Sequence, residues 1–255
     1  MTFEAAFHLF VTGHIITGSV GLLAFWVPVL GKKGAQAHRL GGKVFTYSML
    51  ATGSLAILIS ITTILAPVET HPHLMAHPDF GDAVTIRGIF GWMMLYLAIL
   101  TINLAWYGWL AIRNKLNHAA NREWKNMALQ GVLTLASVNC LYQGYLIGQP
   151  LMMAISLVGF ATVGTNLWFL LKQKPGAKDW LLEHIKALVG AGISVYTAFF
   201  AFGAVRFLPE AALTPALWSV PLIVGLTLII YHRRQVARPR RARAAGSAGP
   251  ASPAS

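Results

Sequence analysis

Charged residues are scarce in this chain of 255 residues and make up only 11% of it. Soluble domains usually carry about 25% charged residues. Hydrophobic residues reach 56%, and the mean hydropathy is +0.59. Most of the chain therefore has no need to face water, which indicates one membrane domain with a short tail.

Cysteine is almost absent, since Cys140 is the only one. An intramolecular disulfide and a cysteine metal cluster are both excluded. Acidic residues number only eight, and none falls in the middle of a predicted span, which weakens a proton-coupled transporter. The chain also lacks an HExxH motif, so a zinc hydrolase has little support.

Basic residues are the abundant charge, with 20 Lys and Arg and a net charge of +12. All but Arg87 and Arg206 fall in four short clusters. The clusters are Lys32, Lys33, Arg39 and Lys43; Arg113, Lys115, Arg122 and Lys125; Lys172, Lys174, Lys178 and Lys186; and Arg233, Arg234, Arg238, Arg240, Arg241 and Arg243. These cations flank apolar stretches, so we expect them to meet the bilayer and anionic lipid headgroups rather than nucleic acid.

Apolar stretches long enough to cross a bilayer, about 20 residues each, lie between the basic clusters. They cover residues 6–30, 37–66, 84–112, 124–147, 150–171, 180–206 and 214–232. Basic loops stay on the cytoplasmic side, whereas the loop 66–83 carries acids and no Lys or Arg.

We therefore predict an all-α polytopic membrane bundle of about seven transmembrane helices in the cell (inner or plasma) membrane. Its amino terminus is outside and its carboxyl terminus inside. The transmembrane domain covers residues 1–234, and residues 235–255 form a disordered basic cytoplasmic tail.

Histidines are the main ionisable candidates inside the predicted spans. His38 and His184 both lie near the cytoplasmic ends of their spans, and His14 lies in the outer half of the first. Two imidazoles at one depth on different helices suit a bis-histidine haem b, with Arg39 pairing with a propionate. The alternative is that these histidines are helix-end residues that bond to backbone or lipid.

The outer loop contains a second group of histidines, His71, His73 and His77. Imidazoles at this spacing could bind zinc or copper. The alternative is an ordinary polar loop.

Polar side chains share faces within the third to sixth spans. Interhelical hydrogen bonds explain such faces, and a substrate or quinone pocket is the alternative. The main ones are Tyr96, Asn103 and Tyr107; Gln130 and Thr134; Asn139 and Gln143; and Thr162, Thr165 and Asn166.

Two segments resemble a family of bacterial multi-pass membrane proteins of unknown function. The first, HIITGSVGLLAFWVPVLGKKGAQAHRLGGKVFTYSM, carries His14, Lys33-Gly34 and the block His38-Arg39-x-x-Gly42-Lys43. The second is His184 followed by Thr197-Ala198-Phe199. This resemblance implies the fold and no particular activity. The His-Arg-x-x-Gly block also resembles, more loosely, cytochrome b561-type membrane proteins, which place histidine pairs on core helices.

Three functions thus remain open from the sequence. One is a haem-binding electron-transfer protein using His38 and His184, with His14 as a further candidate. The second is a small-molecule transporter or carrier using the polar faces. The third is a non-catalytic accessory membrane protein.

Overall fold

The computed structural model of this protein describes residues 3–76, 81–200 and 215–237, and within 215–218 the backbone only. The described residues form helices and no strand. The predicted all-α class is therefore confirmed. Arg206, His77 and most of the basic tail lie outside the described residues.

Seven long helices run through the described residues. In chain order they are α1 (Phe3–Leu30), α2 (Gln36–Leu65), α3 (Ala83–Asn114), α4 (Trp124–Leu146), α5 (Pro150–Leu170), α6 (Asp179–Ala198) and α7 (Pro215–Ala237). Four of them, α1, α2, α3 and α5, are long and apolar enough to cross a membrane. Large side chains such as Leu23, Leu30 and Trp168 are more than three-quarters exposed, as expected where lipid covers the surface.

Local sequence explains where several helices stop and start. Gly34 has a φ of +78° in the turn between α1 and α2, and Gly148 has a φ of +64° between α4 and α5; both values favour glycine. Pro150 follows at the first position of α5, where a missing N–H breaks no helical bond. Asp82 caps α3 by accepting hydrogen bonds from the backbone of Val84 and Thr85, each at 2.8 Å.

The centre of the bundle is α3, which packs against α2, α4 and α6. Around this axis α1 packs on α2, α5 on α4, and α7 on α6. The buried side chains Tyr96 and Tyr107 of α3 are each 1% exposed. Residues Arg87–Met93 of α3 form a π-helical segment, a feature that is frequent near functional sites.

The two ends of the bundle differ in charge. Loops 31–35, 115–123 and 171–178 lie at one end and carry the basic clusters, so we call it the basic end. Residues 66–76, 81–82 and 147–149 lie at the other end. They include Glu69 and Asp82 and no Lys or Arg, and we call this the acidic end.

Candidate functional site

His38 lies where the first turn of α2 meets the last turn of α1, at the basic end. Its Nδ1 atom donates a hydrogen bond to the Pro28 carbonyl at 3.1 Å. The Lys33 ammonium donates to the same carbonyl at 2.7 Å. The imidazole is half-buried, whereas the neighbouring Arg39 side chain is exposed. Arg39 is therefore free to pair with an anionic group beside His38.

His184 lies in the second turn of α6 and faces α3. Its Nδ1 atom donates to the Gly108 carbonyl at 3.0 Å. Gly108 allows this close approach, because a Cβ there would meet Leu188 at 2.8 Å. The helices α2 and α6 contact each other in the bundle, so His38 and His184 lie on neighbouring helices.

The two hydrogen bonds assign the protonation of both rings. A backbone carbonyl only accepts, so in His38 and His184 the Nδ1 atom carries the proton. The Nε2 atom of each neutral ring then has the lone pair that a metal ion needs. Metal-ligating histidines typically donate their other N–H to such a carbonyl, which fixes tautomer and ring orientation. Each ring is therefore held as a neutral imidazole with Nε2 available as a metal ligand.

His14 also donates from Nδ1 to a backbone carbonyl, but it lies in another part of the bundle. Its Nδ1 atom donates to the Thr52 carbonyl of α2 at 3.1 Å. At 1.5 Å per residue, His14 lies about 20 Å along α1 from Pro28, where His38 is bound. The structure therefore does not bring His14 together with His38 and His184.

The histidines at the acidic end pack mainly against aromatic rings. His71 lies between Phe7 and Phe90, with ring centroids at 5.0 Å from each, and His73 is 6.0 Å away. Burial, and next the charge of His73, lower the pKa of His71 to about 4. His77 lies outside the described residues. Across the described ranges, no three His, Cys, Asp or Glu side chains could hold a metal ion together.

A charged cluster next to His184 is absent from the sequence-based prediction. Tyr107 donates to a carboxylate oxygen of Glu183 at 2.7 Å, and Lys186 forms an ion pair with the same oxygen. Lys186 also lies 5.4 Å from the centre of the Tyr107 ring. The spacing of Glu183 and Lys186, three residues apart on one helix, could have indicated the pair, but not its burial against Tyr107.

His232, near the end of α7, is a further imidazole that sequence reasoning missed. It is half-buried, and α7 packs against α6 with its last turns near Lys178, whose ammonium donates to the Val236 carbonyl at 2.8 Å. The basic end thus carries imidazoles of α2, α6 and α7. The position of His232 depends on the packing of α7, which sequence spacing does not encode.

No protein-family model, curated protein or solved structure gives a significant match to this chain.

Proposed function

We propose that this chain is an integral membrane protein of the inner or plasma membrane that binds haem b between His38 and His184 and transfers electrons. In this proposal all seven long helices cross the bilayer, with the amino terminus outside and the basic end in the cytoplasm. The observation that supports it most is the shared geometry of His38 and His184. Each fixes Nδ1–H on a backbone carbonyl and leaves Nε2 as a ligand.

Each residue of the site has a definite task in this proposal. The Pro28 and Gly108 carbonyls hold the two imidazoles in the ligand tautomer and limit their rotation. Arg39 and Lys33 supply positive charge at the surface for the propionate groups. The bound haem would supply one-electron redox chemistry.

The ion pair beside His184 keeps this region close to neutral. Glu183 and Lys186 cancel one another's charge, and Tyr107 satisfies part of the carboxylate's hydrogen bonding. A buried net charge would be costly in hydrocarbon. The pair thus allows polar groups to lie beside the imidazoles.

Absorbance spectroscopy tests the proposal directly. Protein made with ample haem and purified in detergent should show a Soret band that shifts on reduction. His38→Ala and His184→Ala should each lose most of this band, because each removes one of the two histidines that would hold the haem. His73→Ala, an exposed imidazole at the acidic end, is the matched control and should retain it. Wild-type protein without a Soret band, or with one that survives both replacements, would contradict haem ligation at this pair.

A further inference from the structure

Five buried Asn and Gln residues are linked by hydrogen bonds through the junction of α3, α4 and α5, with one link made through a backbone carbonyl. We call this set the amide chain. Its members are each at most 2% exposed: Asn103, Asn121, Asn126, Gln130 and Asn166. It starts in the 115–123 loop at the basic end and reaches Asn103, about three turns before the end of α3. The proposed haem site does not use any of these residues.

The inner members are joined by hydrogen bonds that their NH₂ groups donate. The Asn166 amide donates to Asn103 Oδ1 and to Gln130 Oε1, both at 3.2 Å. Gln130 Nε2 donates to Asn126 Oδ1 at 3.3 Å, and Asn103 Nδ2 to the Leu129 carbonyl at 3.4 Å. Every inner NH₂ group is therefore used.

One acceptor in the inner part of the chain is left without a donor. The Oδ1 atom of Asn166 is buried and accepts no hydrogen bond from the described residues. Rotating the Asn166 amide by half a turn does not help, since it would point this oxygen at two other acceptor oxygens. The unpaired atom therefore calls for a donor from outside the described residues.

The outer end of the chain, in the 115–123 loop, also contains buried polar atoms without a hydrogen-bond partner. Asn126 donates to the Asn121 backbone carbonyl at 2.7 Å, and Asn114 donates to Asn121 Oδ1 at 3.0 Å. Yet Asn121 Nδ2, His118 Nδ1 and Glu123 Oε1 are buried without a partner among the described residues. Because His118 Nε2 faces the Leu170 carbonyl at 3.1 Å and must donate to it, His118 Nδ1 is an acceptor.

A network that served packing alone would leave none of its own polar atoms without a hydrogen bond, because unpaired buried groups are destabilising and rare. This network leaves one acceptor unpaired at Asn166 and three further polar atoms unpaired in the 115–123 loop. We infer that the amide chain is a binding path for small neutral hydrogen-bond donors, accessible from the basic end and ending at Asn166 Oδ1. Neutral ligands are favoured because the five side chains carry no charge, and water is the simplest of them.

Water-edited solid-state NMR of the full chain in proteoliposomes tests this inference, with water as the probe. Magnetisation from water protons should reach the side-chain NH₂ groups of Asn166 and Gln130 nearly as fast as it reaches the exposed side-chain amide of Gln173. The backbone amide of Leu133, a fully buried residue on α4, is the dry reference. Transfer to Asn166 as slow as transfer to Leu133 would overturn the inference.

Two variants test the path itself. His118→Phe keeps the ring packing on Phe169, now at a centroid distance of 4.7 Å, but removes both ring nitrogens. It should bring transfer at Asn166 down toward the Leu133 rate. Asn117→Ala changes an exposed side chain in the same loop and should leave transfer unchanged. Unchanged transfer in His118→Phe would overturn access from the basic end. The result does not depend on haem, so it can fail or succeed separately from the proposed function.

Discussion

Single side chains in this bundle are held by backbone acceptors far away in the chain. His14 bonds to Thr52 and His184 to Gly108, across 38 and 76 residues. In both cases the acceptor lies on a neighbouring helix. A hydrogen bond to a neighbouring helix stabilises a polar side chain in an apolar bundle. Because Nδ1 makes this bond in both histidines, Nε2 is the ring nitrogen that remains available to a ligand.

The burial of His71 predicts a stability loss in mild acid. Its pKa is about 4 in the folded protein, against an ordinary value of about 6.5. Between these values the unfolded chain binds a proton that the folded chain does not, so stability falls as pH decreases from about 6.5 to 4. The loss should reach at most about 3 kcal/mol.

Thermal denaturation in detergent at pH 7 and pH 4.5 measures this effect. His71→Phe, which preserves packing between Phe7 and Phe90, should be less sensitive to acid than the wild type. His73→Ala removes only an exposed neighbour and should remain acid-sensitive. Equal acid sensitivity in His71→Phe and the wild type would show that His71 is not the titrating group.

The Glu183–Lys186 pair predicts strong coupling between its two members. The side chains are only 14% and 19% exposed, so Lys186→Met leaves a largely buried carboxylate without its cation. That change should cost about 3 kcal/mol of stability. The double variant Glu183→Gln and Lys186→Met should lose less than Lys186→Met alone, because no unpaired charge remains. Additive losses in a double-mutant cycle would rule out the coupling.

Whole helices meet through glycines at several crossings. At the contact between α1 and α6, a Cβ on Gly192 would lie 2.3 Å from the Phe25 ring. Gly192→Ala should therefore lower the melting temperature, with a cost of about 1 to 3 kcal/mol from overpacking. Gly164→Ala on α5, where no atom lies within 4 Å of the added Cβ, is the control. A melting temperature unchanged in Gly192→Ala would mean that α1 and α6 are not packed this closely.

The helices themselves could be predicted from sequence, whereas their contacts could not. Apolar stretches bounded by Gly34, Gly148 and Pro150 indicate where helices lie, because chain breaks and hydropathy are local properties. Asn103, Gln130 and Asn166 are each visible as polar positions on a helix face. That the three meet at one point depends on the rotation of α3, α4 and α5 about their axes, which three separate patterns do not determine.

At the scale of the whole molecule, the number of crossings decides on which side each basic loop lies. If only α1, α2, α3 and α5 crossed the bilayer, the loop 171–178 would lie on the opposite side from the loop 31–35. If all seven long helices cross, every basic loop lies on the same side. The second arrangement places Lys172, Lys174 and Lys178 on the same side of the membrane as the other basic loops. It is favoured because Lys and Arg are enriched in the cytoplasmic loops of membrane proteins.

Cysteine labelling distinguishes the two arrangements, because Cys140 is the only native cysteine and is fully buried. In a Cys140→Ala background, Lys174→Cys should resist a membrane-impermeant maleimide in intact cells and react in inside-out vesicles. Glu69→Cys, an exposed position at the acidic end, should show the reverse and serves as the control. If Lys174→Cys reacts in intact cells as Glu69→Cys does, four crossings explain the protein better than seven. The basic end would then be divided between the two sides of the membrane, and the loop beside His184 would lie outside the cell.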